Sequence, residues 1–302
     1  MRPYLLFVSG AAGLAGMALN WVSEPQGDWR ILVFAFFFLS YGLGQALTDC
    51  FQTDTDKISA PYRPLSQELV TPFSVGVVSV AGLSFVGIIL VWANLWNLPF
   101  VLLSIFGLAT YTLFKRYWFA GPFYNAWIVM LLPVMGFLSL SDANLEDLLH
   151  QPAQFYCVLG LSFFAYANFV LMGYLKDISA DRATGYRTFP VVFGWDATVW
   201  VGDAFALIGM GFLSLILPAN WGAYLLFAAG SLVAVAGQLY AHLSREKTEA
   251  NAAFPITATV RSFILWHLTL LTEHSGAGIW LAFCYYIAFE LVLLRRPEKS
   301  QI

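Results

Sequence analysis

The chain has 302 residues, of which 59% are hydrophobic and only 11% charged, and its formal net charge is −3. About a quarter of the residues of a soluble domain are charged, so this composition predicts a polytopic membrane protein. No basic face exists to hold a nucleic acid, and the three cysteines have no spacing that predicts a disulfide framework or a metal site.

Apolar runs long enough to span a membrane follow one another along the whole chain. They lie at about 4–23, 30–49, 73–93, 97–114, 119–140, 154–175, 196–217, 221–243 and 276–294. A weaker run at about 257–272 contains Arg261 and His267, and it is either a short span or a helix in the membrane interface. The sequence therefore predicts one all-α domain over residues 1–302, a membrane helical bundle of nine to ten transmembrane helices.

The basic residues indicate the orientation of the bundle. Lys and Arg follow the second, fourth, sixth and eighth spans, whereas the intervening loops 94–97, 141–153 and 218–221 contain neither. The C-terminus carries Arg295, Arg296 and Lys299. By the positive-inside rule, these loops and both termini are predicted to be cytoplasmic, which favours ten spans over nine.

Two acidic stretches lie in predicted cytoplasmic loops. In the first, Asp49 and Asp56 are seven residues apart and share a face if the helix is regular, while Asp54 points away. In the second, Asp177 and Asp181 are four residues apart, again on one face. Carboxylates at the edge of an apolar bundle indicate function, and two such pairs suit Mg²⁺ together with phosphate oxygens.

Cations on the same predicted side of the membrane complete this pattern. One interpretation is that these cations bind a metal-bound diphosphate, whose negative charge needs nearby positive charge. The alternative interpretation is that they are ordinary positive-inside residues paired with loop acids. The cations are Lys57, Arg63, Lys115, Arg116, Lys176, Arg182 and Arg187.

These motifs resemble the UbiA superfamily of intramembrane prenyltransferases. The first signature of that family, Asn-Asp-x-x-Asp-x-x-x-Asp, aligns with Thr48-Asp49-x-x-Gln52-x-x-x-Asp56 and is followed by Pro61-Tyr62-Arg63-Pro64. The second, Asp-x-x-x-Asp, aligns with Asp177 and Asp181. Thr48 and Gln52 depart from the pattern, and the loss of one negative charge at Gln52 is expected to alter metal binding. An early helix end would re-aim Asp54 as a substitute.

The resemblance implies a helical bundle around a central cavity that binds Mg²⁺ and an isoprenyl diphosphate. It assigns catalysis and metal binding to Asp49, Asp56, Asp177 and Asp181. It assigns diphosphate binding to Arg63, Lys115, Arg116, Lys176, Arg182 and Arg187. Thr48, Gln52 and Asp54 are further possible contributors to the first motif.

The implied reaction is transfer of the isoprenyl group to a lipophilic acceptor, which in this family is usually an electron-rich aromatic ring. An intramembrane terpene cyclase or lyase, which needs no acceptor, is the alternative. A secondary transporter is a distant third, because its acids would lie near the midplane. Asn125 is expected near the cavity. Glu290 is expected either to pair with a cation or to line the cavity, and Arg261 either to snorkel or to reach the diphosphate.

Overall fold

A computed structural model describes residues 3–20, 29–273 and 276–295. The predicted C-terminal cations Arg296 and Lys299, and residues 21–23 of the first predicted span, lie outside these ranges. The described residues form no strand. Their α-helices are α1 Leu6–Ala18, α2 Trp29–Asp49, α3 Thr53–Ser59, α4 Pro72–Ala93, α5 Leu98–Lys115, α6 Gly121–Ser139, α7 Leu145–Leu149, α8 Ala153–Gly173, α9 Ile178–Ala183, α10 Phe189–Leu215, α11 Trp221–Leu243, α12 Ala253–Leu268 and α13 Gly276–Leu294.

The long helices form a membrane bundle, as the apolar runs predicted. Among the described residues, eight helices are long and apolar enough to cross a membrane. Shorter apolar helices occupy Pro3–Ala18 and Gly278–Leu294. Prolines near the first positions of α4, α5, α6 and α10 start these helices, where a missing backbone N–H costs nothing.

Helix α1 lies in the core and packs closely on its neighbours through small residues. A Cβ atom added at Gly16 would lie 2.0 Å from the carbonyl oxygen of Pro133 on α6, and one at Gly13 would lie 2.4 Å from the ring of Phe37 on α2. Such close backbone approach drives helix association in lipid, where hydrophobic burial contributes little. These contacts fix the positions of α2 and α6, which form two walls of the cavity described below.

Helix α12, the weak span of the sequence, lies inside the bundle and not on its surface. In the candidate span Glu249–Glu273, 89% of an 18-residue window is buried, so its charged and imidazole side chains need partners on other helices. Arg261 donates from Nε and Nη2 to Glu290 on α13 at 2.6 and 2.8 Å. His267 is fully buried and hydrogen-bonded to Ser162 on α8 at 2.8 Å. These partners explain how a run of modest hydropathy is held in the interior.

Candidate active site

The first acidic stretch does not continue α2 as one regular helix. Helix α2 ends at Asp49, Gln52 has the non-helical angles φ −124° and ψ 21°, and α3 begins at Thr53. The backbone N–H of Phe51 donates to the carbonyl oxygen of Thr48, and that of Gln52 donates to Asp49. Both are hydrogen bonds of the 3₁₀ type, which tighten the end of α2. The premise of an unbroken helix was therefore wrong.

The break nevertheless leaves three side chains of the motif facing one cavity. Asp49, Gln52 and Asp56 line it, together with Thr48. Asp54 is exposed in the first turn of α3 and lies outside the lining, where its charge suits the helix N-terminus. The early helix end thus does not re-aim Asp54 into the site.

Arg63 joins the two carboxylates of this stretch. Its guanidinium donates a hydrogen bond to Asp56 and lies 3.8 Å from Oδ1 of Asp49. Gln45, one turn earlier on α2, donates to the same oxygen of Asp49 at 2.9 Å. Neither motif in the sequence includes Gln45. Because Arg63 faces the cavity and spans both helices, it holds the acids of α2 and α3 in one cluster.

The second acidic stretch separates its two carboxylates. Asp177 lines the cavity at the N-terminus of α9, beside Lys176. Asp181 is fully buried, accepts a hydrogen bond from Thr188 at 2.9 Å and does not line the cavity. Burial raises the pKa of Asp181 to about 6, and the ammonium group of Lys115 opposes that rise.

Lys115 connects the two stretches at the end of α5. Its Nζ donates to Oε1 of Gln52 at 2.9 Å and lies 3.7 Å from Oδ1 of Asp181. The side chain is only 5% exposed and also lies 5.7 Å from the centre of the Tyr174 ring. Gln52 of the first stretch and Asp181 of the second therefore hold the ammonium group of Lys115 in place at the cavity wall.

Three predicted diphosphate ligands remain outside the cavity. Arg116, Arg182 and Arg187 are exposed and absent from its lining. The guanidinium of Arg116 lies 4.9 Å from the centre of the Tyr186 ring, and the backbone N–H of Arg187 donates to Arg116 at 3.0 Å. Lys57 is also exposed, and it pairs with Glu68 at 2.8 Å. Among the described residues, the cations that line the cavity are therefore Arg63, Lys115 and Lys176.

Below these charges the cavity becomes largely apolar. Its volume is about 190 Å³, whereas a single water needs about 10–15 Å³ measured in this way, so the cavity is sized for a ligand. Asn125 lies in the wall, as expected. Hydrogen-bonded tyrosine pairs, Tyr41 with Tyr166 at 2.8 Å and Tyr111 with Tyr174 at 3.1 Å, also line it. In a chain with 17% aromatic residues, sequence alone could not single out these four.

The carboxylates that line the cavity are of a kind that fits a magnesium ion. Within the described part of the chain, no three His, Cys, Asp or Glu side chains converge as a ready-made metal cage. Mg²⁺ usually takes one or two carboxylates, retained waters and phosphate oxygens. Asp49, Asp56 and Asp177 present such carboxylates to the cavity, and the buried Oδ1 of Asp181 has no hydrogen-bond partner.

Fold and site together define a membrane-embedded helical protein with acidic and basic side chains at the mouth of an apolar cavity. The sequence model of the UbiA prenyltransferase family matches residues 9–268, and the chain belongs to this family. It is a prenyltransferase.

Its curated relatives include two archaeal enzymes that carry the same name. The chain is 28% identical to digeranylgeranylglyceryl phosphate synthase of Thermococcus kodakarensis, over 76% of this chain and 83% of the relative. It is 29% identical to the enzyme of that name from Natronomonas pharaonis, over 74% and 77% respectively.

Solved structures share the fold. The apo structure of a UbiA homologue from Aeropyrum pernix superposes with a TM-score of 0.76 at 17% identity, covering 94% of this chain and 99% of that one. A UbiA homologue from Archaeoglobus fulgidus bound to GPP and Mg²⁺ has a TM-score of 0.65 at 12% identity, covering 90% and 97%.

Proposed function

We propose that the protein transfers an isoprenyl group from an isoprenyl diphosphate to a lipophilic acceptor within the membrane, and that it requires Mg²⁺. The observation that carries this proposal is the polarity of one cavity. Its mouth is lined by Asp49, Asp56, Asp177, Arg63 and Lys115, and its body is largely apolar. A charged head joined to a long apolar tail is the ligand chemistry that matches both parts.

The cations of the mouth would stabilise the leaving group. When the bond between the allylic carbon and the diphosphate oxygen breaks, both electrons stay with the diphosphate, whose negative charge increases. Arg63 and Lys115 are already held in place by Asp56, Gln52 and Asp181. Preorganised positive charge costs no rearrangement as the transition state forms.

Magnesium would be held by Asp49, Asp56 and Asp177, and when bound it neutralises part of the diphosphate charge. Asp49 and Asp56 also keep Arg63 oriented, so these two carboxylates would act on the diphosphate through a cation as well. The buried Asp181 acts one step further away, because its carboxylate faces Lys115 and not the cavity.

The body of the cavity would protect the allylic cation from water. Tyr111 and Tyr174 line it close to Lys115 at the mouth, and aromatic faces attract positive charge. The acceptor then donates an electron pair to the allylic carbon, forms the new bond and loses a proton. The names of the curated relatives support a glyceryl phosphate acceptor, whereas the resemblance to the family had implied an aromatic one.

We place the charged mouth on the cytoplasmic side. The residues that support this placement are the Lys and Arg that follow alternate spans, since cytoplasmic loops carry an excess of these residues. A diphosphate donor made in the cytoplasm would then reach the site directly.

The experiment uses purified full-length protein in lipid nanodiscs with Mg²⁺ and an isoprenyl diphosphate. Pyrophosphate release is followed without acceptor, with a prenylated glyceryl phosphate, and with an aromatic quinone precursor. Acceptor-dependent release together with a prenylated product supports the proposal and identifies the acceptor class. Release without acceptor, together with a hydrocarbon product, would replace transfer with cyclase or lyase activity. No release from folded protein under any condition would refute the proposal.

A further inference from the structure

The short helix α9 carries Asp181 and begins just after Asp177, but it has no capping side chain of its own. Asp177 is the N-cap residue, where an aspartate normally accepts a hydrogen bond from a backbone N–H of the first turn. Here φ is −115° and ψ is 12°, outside the extended region typical of that position, and the side chain makes no capping hydrogen bond. The carboxylate of Asp177 lines the cavity instead.

A carboxylate from a distant loop binds the first turn of α9 in its place. Glu249, between α11 and α12, accepts a hydrogen bond from the backbone N–H of Ser179 and a second, at 2.9 Å, from the Ser179 hydroxyl group. Ser179 is the second residue of α9, so its N–H is one of the donors that a helix leaves unpaired at its start. Neither acidic motif of the sequence includes Glu249.

The loop that carries Glu249 has contacts of its own with other helices. Glu249 begins the 3₁₀ turn Glu249–Ala252, which runs directly into α12, and Ala252 is fully buried. Lys247, two residues before Glu249, forms an ion pair with Asp196 on α10. The position of Glu249 is therefore set by α10 and α12 as well as by Ser179.

We propose that Glu249 is a positioning residue for the magnesium site, because its bond to Ser179 leaves the carboxylate of Asp177 free to face the cavity. An N-cap side chain usually bonds the N–H of the second or third helical residue, and Ser179 is the second. Without Glu249, the carboxylate of Asp177 would be drawn toward that N–H, and Mg²⁺ would bind more weakly. This inference rests on the proposed function, since it concerns the metal of that same reaction.

The test measures metal binding without turnover. Purified full-length protein in lipid nanodiscs is titrated with Mn²⁺, which binds the same oxygen ligands as Mg²⁺ and is detected by electron paramagnetic resonance. Farnesyl thiodiphosphate, a donor analogue that resists cleavage, is present throughout, and empty nanodiscs with this analogue give the background. We expect Glu249→Ala to raise the Kd for Mn²⁺ about tenfold, as is usual when a residue that orients a metal ligand is removed.

Two further variants show which property of Glu249 matters. Glu249→Gln keeps a side-chain oxygen that accepts from the Ser179 N–H, so its Kd should stay within about threefold of wild type. Glu249→Asp keeps the charge but is one methylene shorter, so it should weaken Mn²⁺ binding as Glu249→Ala does, and it replaces that variant if Glu249→Ala fails to fold. The matched control is Glu246→Ala, which removes an exposed carboxylate from the same loop and should leave the Kd unchanged.

A double variant separates positioning from a general structural role. If Glu249 acts through Asp177, then Glu249→Ala should raise the Kd by less than about twofold in protein that already carries Asp177→Asn. The same tenfold rise in both backgrounds would overturn the proposal, because Glu249 would then act without Asp177.

The remaining outcomes distinguish this inference from the proposed function. A wild-type Kd in folded Glu249→Ala protein, or an equal rise in Glu246→Ala, would overturn the positioning role while leaving prenyl transfer intact. If the wild-type protein neither binds Mn²⁺ nor releases pyrophosphate from the cleavable donor, the proposed function is refuted, and the positioning role with it.

Discussion

The two acidic stretches use their carboxylates differently. Asp49 and Asp56 sit on two helices separated by a break, yet both line the cavity and share Arg63. Asp177 and Asp181 are one helical turn apart, yet only Asp177 lines the cavity. Asp181 is fully buried against Lys115 and Thr188.

This difference shows that the spacing of the acids within a motif does not determine whether each side chain lines the cavity. In the first stretch, both carboxylates line the cavity and lie beside Arg63. In the second, one carboxylate lines the cavity and the other lies beside Lys115. If that distinction holds, substitutions at Asp177 and Asp181 should differ in kind.

Asp177→Asn tests the cavity-lining acid and should have the largest effect. We expect kcat to fall roughly 1,000-fold, because an amide cannot supply the negative charge needed beside a metal-bound diphosphate. The melting temperature should change little, since Asp177 is only partly buried. Steady-state kinetics and thermal unfolding in the same nanodiscs measure both quantities. A wild-type rate would remove Asp177 from the site.

Arg63→Met tests the cation shared by the first stretch. We expect a loss of roughly 100-fold in kcat, because a preorganised donor to the leaving group is removed. The matched control is Arg187→Met, which deletes an exposed guanidinium outside the lining and should cost less than about threefold. An equal loss of kcat in the two variants would indicate that the exposed Arg187 contributes to diphosphate binding as much as Arg63 does.

Asp181→Asn tests the buried acid of the second stretch. Lys115 loses the carboxylate with which it forms a buried ion pair, so we expect kcat to fall by about 30-fold, which corresponds to about 2 kcal/mol. Unlike Asp177→Asn, this variant should also unfold at a lower temperature, because a buried cation is left uncompensated. Unchanged stability would contradict the positioning role of Asp181.

Gln52→Leu tests the neutral acceptor that the first stretch offers to Lys115. Loss of this hydrogen bond should lower kcat by about tenfold. Asp54→Asn, two residues away but exposed and outside the lining, is the matched control and should change activity less than twofold. A large loss at Asp54 with none at Gln52 would reverse the assignment of the two side chains.

Glu290→Gln lies away from both stretches and should have the smallest effect on activity. It weakens the pair with Arg261 between α12 and α13, so we expect a melting temperature lower by a few degrees and an unchanged kcat per folded molecule. A selective loss of kcat would link this pair to the cavity.

The sequence predicted the bundle well because membrane spans are long and strongly apolar. It was ambiguous at 257–272, where Arg261 and His267 lower the hydropathy. Only the three-dimensional contacts with Glu290 and Ser162 show why the resulting helix is buried. Span positions depend on local composition, whereas the partners of a buried polar group lie far away in sequence.

The site was predictable as a set of residues but less so as a geometry. The motifs identified Asp49, Asp56 and Asp177, which line one cavity. Helical periodicity did not reveal the break at Gln52, because that break depends on two short-range backbone bonds. Nor could charge alone separate Lys115, which is buried, from Arg116, which is exposed one residue later.

The most direct test of the central claim is a structure of the protein with Mg²⁺ and an isoprenyl thiodiphosphate, an analogue of the donor that resists cleavage. We expect the diphosphate to lie between Asp49, Asp177, Arg63 and Lys115, with the apolar chain running into the cavity past Phe169. A diphosphate bound at Arg116 and Arg187, or a chain that leaves the bundle without entering the cavity, would contradict it.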